Sequence, residues 1–168
     1  MGARAKLVAI LGVLPLLAGC GFTPLYGTPG VTSGLANIEV ITPEGRTGHL
    51  LSEDLQDDLA IRRGEPAAYR LALAVDETRY ARGLSNANVA TWYELSLRVS
   101  YSLIDKSSGK TLTAGVMPIS VSYNAVDDPY AGIVAQQDGQ KRAASVAADR
   151  IRLELAVWFA KQAKSPTT

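Results

Sequence analysis

The sequence predicts an α+β fold: a two-layer sandwich in which a four-stranded, mainly antiparallel sheet carries two helices on one face, in the order β-α-β-β-β-α. Three observations predict it. Residues 69–80 and 91–103 alternate apolar and polar side chains with period two, as half-buried strands do. Leu51, Leu55 and Leu59 recur at spacings of four, and an alanine-rich stretch from Tyr130 to about Lys164 closes the chain. Two helices with one apolar stripe each can cover one face of a four-stranded sheet.

The first strand is expected over Asn37–Thr42, short and β-branched, ended by the turn residues Pro43, Glu44 and Gly45. The helix that follows places Leu51, Leu55 and Leu59 inward and Ser52, Asp54, Gln56, Asp57 and Arg62 outward, and stops at Gly64 and Pro66. In the second strand Tyr69, Leu71, Leu73 and Val75 share one face. Residues 81–88, ARGLSNAN, read as a loop by composition.

The third strand sets Tyr93, Leu95, Leu97, Val99, Tyr101 and Leu103 against Trp92, Glu94, Ser96, Arg98, Ser100 and Ser102. Residues 105–110, DKSSGK, form a hairpin turn with Gly109 placed for a positive φ, so residues 111–123 return antiparallel. Pro118 cannot donate to a ladder, which makes this last strand an edge or a bulged one. Asp127, Asp128 and Pro129 signal the start of the C-terminal helix. Its apolar positions are Val146/Ala147, Ile151, Leu155, Trp158 and Phe159, with Asp138-Gly139 a point where it could break.

The first twenty residues have a different logic. Arg4 and Lys6 precede an uncharged run from Leu7 to Leu17, interrupted by Pro15, and then Ala18, Gly19 and Cys20. That is the pattern of a signal peptide, and the run is short of the roughly 20 residues a transmembrane helix needs. Leu17-Ala18-Gly19-Cys20 reads as a lipobox, with Cys20 taking a diacylglycerol on sulfur and an acyl chain, such as palmitate, on the freed amine. Two or three acyl chains anchor far more firmly than one, since each buried methylene adds about 0.8 kcal/mol. Gly21, where an aspartate would favour inner-membrane retention, points to the outer membrane. The expected organisation is a signal peptide at 1–19, a lipidated tether at 20–34, one α/β domain at 35–164 and a tail at 165–168.

Taking 19 residues from 168 leaves 149, enough for one domain with a substantial core. Without Arg4 and Lys6 the remainder carries 15 basic and 16 acidic side chains, a balance that gives no bulk attraction to nucleic acid. The single cysteine is spent on the anchor, so an exported domain has no internal disulfide to draw on. The tether sequence GFTPLYGTPGVTSG reads as an extended linker whose Phe22, Leu25 and Tyr26 are suited to packing against a surface.

Catalytic and metal chemistry find little support. The lone histidine, His49, sits at the start of a helix with no cysteine beside it, where a zinc site would need several nitrogen or sulfur ligands. Glu53, Asp54, Asp57 and Asp58 are the wet face of an amphipathic helix, and no nucleophile elbow or phosphate-binding loop is present. Expected are no catalytic residues, no metal and no cofactor. The basic residues remain: Arg79 and Arg82 flank Tyr80, and Lys106 and Lys110 bracket the hairpin. These four are the candidate phosphate contacts, arginine because its planar fork donates two parallel hydrogen bonds. They form two patches if the two turns lie at opposite ends of the sheet.

With GCGFTPLYG at 19–27, the element order above and AASVAADRIRLELAVWFA ending at Ala160, the sequence resembles the LPS-assembly lipoprotein family LptE. The resemblance spans nearly the whole of the chain beyond the signal peptide. It implies a non-enzymatic outer-membrane partner that plugs the lumen of the β-barrel LptD, assists its assembly and meets lipopolysaccharide on its way to the cell surface. Basic residues on loops and the sheet end are implied to meet lipopolysaccharide phosphates, with Arg79 and Arg82 the nearest candidates. The alternatives are another envelope lipoprotein, acting as a binding module or a pilotin-like chaperone of a different channel, and a lipid-anchored hydrolase.

Overall fold

A computed structural model of the chain describes residues 30–61, 66–84, 90–124 and 128–164. The elements are α1 (Val31–Ala36), β1 (Ile38–Ile41), α2 (Arg46–Asp58), β2 (Tyr69–Leu84), β3 (Ala90–Asp105), β4 (Thr111–Asn124) and α3 (Pro129–Lys164). The four strands form one mixed sheet in sequence order, β1-β2-β3-β4. β1 runs parallel to β2, with Ile38 opposite Tyr69, and the other two pairings are antiparallel. The parallel pair follows from the helical connection through α2, and the antiparallel pairs from direct returns of the chain.

Length matching shapes the molecule. β2 and β3 have 16 residues each, about 53 Å at the usual strand rise. α3 has 36 residues, about 54 Å at the helical rise. One helix therefore spans the full length of the hairpins. It starts cleanly: the Ala131 amide donates to Asp128 Oδ1 at 2.8 Å, with Pro129 in the first turn, where its missing N–H costs nothing. Asp138-Gly139 does not break it; Gly139 is buried where the helix crosses the Tyr123 ring.

Strand alternation puts Leu71, Leu95, Leu97, Val99, Leu103, Met117 and Ile119 under the helices, where Leu51, Leu55, Ile151 and Leu155 meet them. Each fully buried aliphatic side chain contributes roughly 1.5–3 kcal/mol. The buried stripe of α3 is built largely from Ala143, Ala144, Ala147, Ala148, Ala156 and Ala160, small residues that bring the helix axis close to its neighbours. Val146, expected inward, is 37 % exposed because the stripe follows the alanines.

Four other local differences from the sequence reading have physical causes. Val31–Gly34 are helical rather than part of an extended tether, since Val31 and Leu35 are buried in the core and hold α1 there. β2 continues to Leu84 through part of the expected loop because Arg82 and Leu84 still pair with Trp92 and Ala90. Ser52 is buried rather than outward, hydrogen-bonded to Thr42 Oγ1 at 2.8 Å and receiving the Gln56 amide at 3.0 Å. α2 also begins at Arg46, a turn ahead of the expected start. Pro118 lies on β4, an edge strand, where proline does the least damage. Arg62, Gly64, Asp127 and the loop residues 85–88 lie outside the described residues.

Candidate functional site

The sheet face away from the helices is the large surface that the fold leaves open. Its side chains come from the even-numbered residues of β2, β3 and β4. Register sets Ile41, Ala72, Ser102 and Ala114 in one cross-strand row, Ala74, Ser100 and Val116 in the next, and Thr78, Ser96 and Ser120 further along. Small and hydroxylated side chains dominate, with Ile41 and Val116 exposed among them. Such a face is flat and hydratable, with hydroxyls that both donate and accept.

Asp76 and Arg98 sit opposite each other in the row between the last two, and further charge stands at the two ends of this face. At one end Arg82 Nε donates to Glu94 Oε2 at 2.9 Å while its guanidinium lies 5.2 Å from the Tyr80 ring centroid. Ser120 donates to the other Glu94 oxygen at 2.7 Å, and this bond, followed by Arg82, holds the Glu94 carboxyl below its usual range. At the other end Glu39 accepts from Lys106 Nζ at 2.9 Å and has Arg70 Nε at 3.7 Å, so its pKa is also lowered, chiefly by Lys106.

Arg79 is separated from Arg82 by the sheet itself. Three residues apart on a strand means opposite faces. Arg79 turns to the helix side, donating to Gln136 Oε1 of α3 at 3.0 Å and lying 4.9 Å from the Tyr93 ring centroid. Beside it Glu77 accepts from Gln140 at 2.8 Å and from Thr47 of α2 at 2.5 Å. These bonds pin both helices to the middle of β2.

Lys106 and Lys110 lie at the hairpin joining β3 to β4, beyond the Asp105–Tyr69 pair, at the opposite end of the sheet from Arg79 and Arg82. Asp105 organises this turn, accepting from the amides and hydroxyls of both Ser107 and Ser108. Those bonds, the Ser107 hydroxyl first, lower its pKa from 3.8 to about 2. The four candidate cations thus divide into two ends, and only Arg82 of the first pair faces the open sheet.

The other residues weighed from sequence have structural places. His49 is exposed on α2, 3.3 Å from Glu53. Burial, then Asp58, raises the pKa of Asp54 on the same helix. Asp58 itself lies 3.6 Å from Arg152 of α3. Among the described residues no group of three or more His, Cys, Asp or Glu side chains is placed to hold a metal ion, and no helix is long and apolar enough to cross a membrane. Cys20 lies outside the described residues. Sequence reasoning missed the Glu77 cluster and the Tyr101–Glu154 hydrogen bond between β3 and α3. Both join residues more than 50 positions apart or on three different elements, which no local pattern announces.

Comparison with known proteins bears on this architecture directly. The LptE family model, described as lipopolysaccharide-assembly, matches residues 35–155. A candidate lipoprotein from Caulobacter crescentus CB15 is 49 % identical, with 80 % of this chain and 98 % of that one covered and a TM-score of 0.70. A minor lipoprotein from Acinetobacter baumannii shares the fold at 16 % identity, covering 73 % of this chain and 92 % of its own, with a TM-score of 0.55. Lipoprotein B from Nitrosomonas europaea does so at 14 % identity, covering 73 % and 87 %, with a TM-score of 0.52. No curated protein matches the chain in sequence. A family match over most of the chain, on a mixed four-stranded sheet backed by helices, establishes that this protein belongs to the LptE lipopolysaccharide-assembly family.

Proposed function

We propose that this protein is an outer-membrane lipoprotein, acylated on Cys20, that plugs the lumen of an LptD-type β-barrel, assists its assembly and takes part in delivering lipopolysaccharide to the cell surface. The observation that carries the reading is the family match over residues 35–155. The open sheet face supports it physically. A plug in a hydrated barrel must present polar and small side chains to a polar lumen, and the serine rows on β3 offer that. Its role is binding and positioning rather than chemistry.

Within this reading, Lys110 at the hairpin is the leading candidate to meet lipopolysaccharide phosphates, while Lys106 and Arg82 would exchange their ion pairs with Glu39 and Glu94 for a phosphate. Arg79 is the weakest candidate, since its guanidinium is turned to the helix side, engaged with Gln136 and Tyr93. Depletion of the protein in its native host tests the function. The reading expects newly made lipopolysaccharide to stall short of the surface and the barrel to accumulate misassembled. Normal surface lipopolysaccharide after depletion would overturn it.

A further inference from the structure

The seam between the edge strand β4 and α3 changes character along its length. Arg142 Nη2 donates to the Ser122 carbonyl at 3.1 Å, and Arg150 Nη1 donates to the Pro118 carbonyl at 3.2 Å. Eight helical residues rise about 12 Å and four strand residues about 13 Å, so helix and strand stay in step. The same step taken once more pairs position 158 with position 114. There stands Trp158 instead of a third arginine, beside Ala114.

At that third position the seam opens into a groove of about 420 Å³, walled by Leu153, Val157 and Trp158 of α3 and by Thr113 and Ala114 of β4. Leu153 is 52 % exposed and Val157 36 %. Tyr101 donates to Glu154 at its floor, and Gly115 leaves room for the Tyr101 ring. Backbone groups of an edge strand point alternately inward and outward. Outward carbonyls at 118 and 122 therefore place those of Val116 and Ala114 on the free side as well.

We infer that this groove is the docking site of the chain's own N-terminal segment, with Phe22, Leu25 and Tyr26 seated against Leu153, Val157 and Trp158, alongside the β4 edge. Three observations single out this occupant. First, the segment enters the domain next to the groove: Gly34 of α1 packs on the Phe159 ring, whose centroid is 4.9 Å from that of Trp158. Second, the segment is long enough to range widely from α1: the five residue steps from Leu25 to Gly30 span up to about 17 Å and the eight from Phe22 up to about 27 Å. Third, residues 21–29, GFTPLYGTP, carry no charge and three large apolar side chains, and Pro24 biases Thr23 to an extended backbone.

Tethering makes a weak contact sufficient, because a segment joined by a short linker is present at an effective concentration in the millimolar range. The consequence is mechanical. A docked segment fixes which end of the domain faces the N-terminus, whether or not Cys20 is acylated.

Cross-linking in the full chain tests this. Cys20 is the sole cysteine, so the background is Cys20→Ser, with the protein held in detergent. Under mild oxidation, Leu25→Cys with Val157→Cys is expected to form an intramolecular disulfide at least about tenfold faster than Leu25→Cys with Ser100→Cys on the open sheet face. Equal rates, or disulfides joining two chains, would overturn the inference, the latter in favour of a second copy in the groove. A second measurement uses Trp158 fluorescence in a Trp92→Phe background. Replacing Phe22, Leu25 and Tyr26 by serine is expected to move the emission to longer wavelength. An unchanged spectrum would count against docking as firmly as the cross-linking result.

Discussion

A β-carbon on Gly34 would sit 2.6 Å from two carbons of the Phe159 ring, so the backbone of α1 rests directly on an aromatic side chain of α3. Phe159 has little room to yield, being wedged edge-on against Tyr69 at 5.4 Å and Trp158 at 4.9 Å between ring centroids. Alanine at a helical glycine would ordinarily stabilise by about 1 kcal/mol. Here overpacking reverses the sign, and Gly34→Ala is expected to destabilise the domain by about 1–3 kcal/mol. The midpoint of a urea titration reads the change.

The Tyr101 hydroxyl, donating to Glu154, makes an alkaline prediction. Burial first, then Glu154, raises its pKa well above the ordinary 10.0. A group with a raised folded-state pKa gives stability that is present below pH 10 and lost as pH rises through the folded value. Ultraviolet titration should find the Tyr101 phase delayed until the protein unfolds. Tyr101→Phe should abolish that late phase and cost about 0.5–1.5 kcal/mol at neutral pH.

At the hairpin, Asp105 predicts the opposite pH behaviour. Its carboxylate is held at about 2 by four hydrogen bonds, so its contribution is present above 3.8 and fades as pH falls toward 2. Carbon NMR of the Asp105 carboxyl should show a midpoint near 2, and Asp105→Ala should speed amide exchange at Ser107 and Ser108.

For the candidate phosphate contacts, Lys110→Ala is expected to weaken lipopolysaccharide binding about fivefold, matching the roughly 1 kcal/mol of an exposed ion pair. The loss should shrink as salt is raised. Arg79→Ala should instead lower stability with little change in binding, because its partners are Gln136 and the Tyr93 ring. Titration of both variants with purified lipopolysaccharide in low and high salt checks the pair.

Much of the fold is legible because it rests on local periodicity. The leucines of β3 and α2 each repeat at the spacing of their own element, and Asp128-Pro129 marks a helix start by capping chemistry. α1 was not legible, since VTSGLA has weak helix propensity and owes its form to burial of Val31 and Leu35. Ser52 turns inward only because Thr42, ten residues earlier, offers a hydroxyl. The separation of Arg79 from Arg82 was available in principle, because odd and even residues of one strand face opposite ways. Reading Arg82 as loop hid it. The groove beside Trp158 depends on a helix–strand register set across more than 40 residues of chain, beyond any sequence window.

The central claim is that this domain works inside a barrel. Its most direct test is affinity purification of the tagged full-length protein from native outer membranes in mild detergent, followed by identification of what comes with it. The account predicts an equimolar complex with a large LptD-type β-barrel that survives size-exclusion chromatography. Recovery of the free monomer alone, from membranes in which that barrel is abundant, would contradict it.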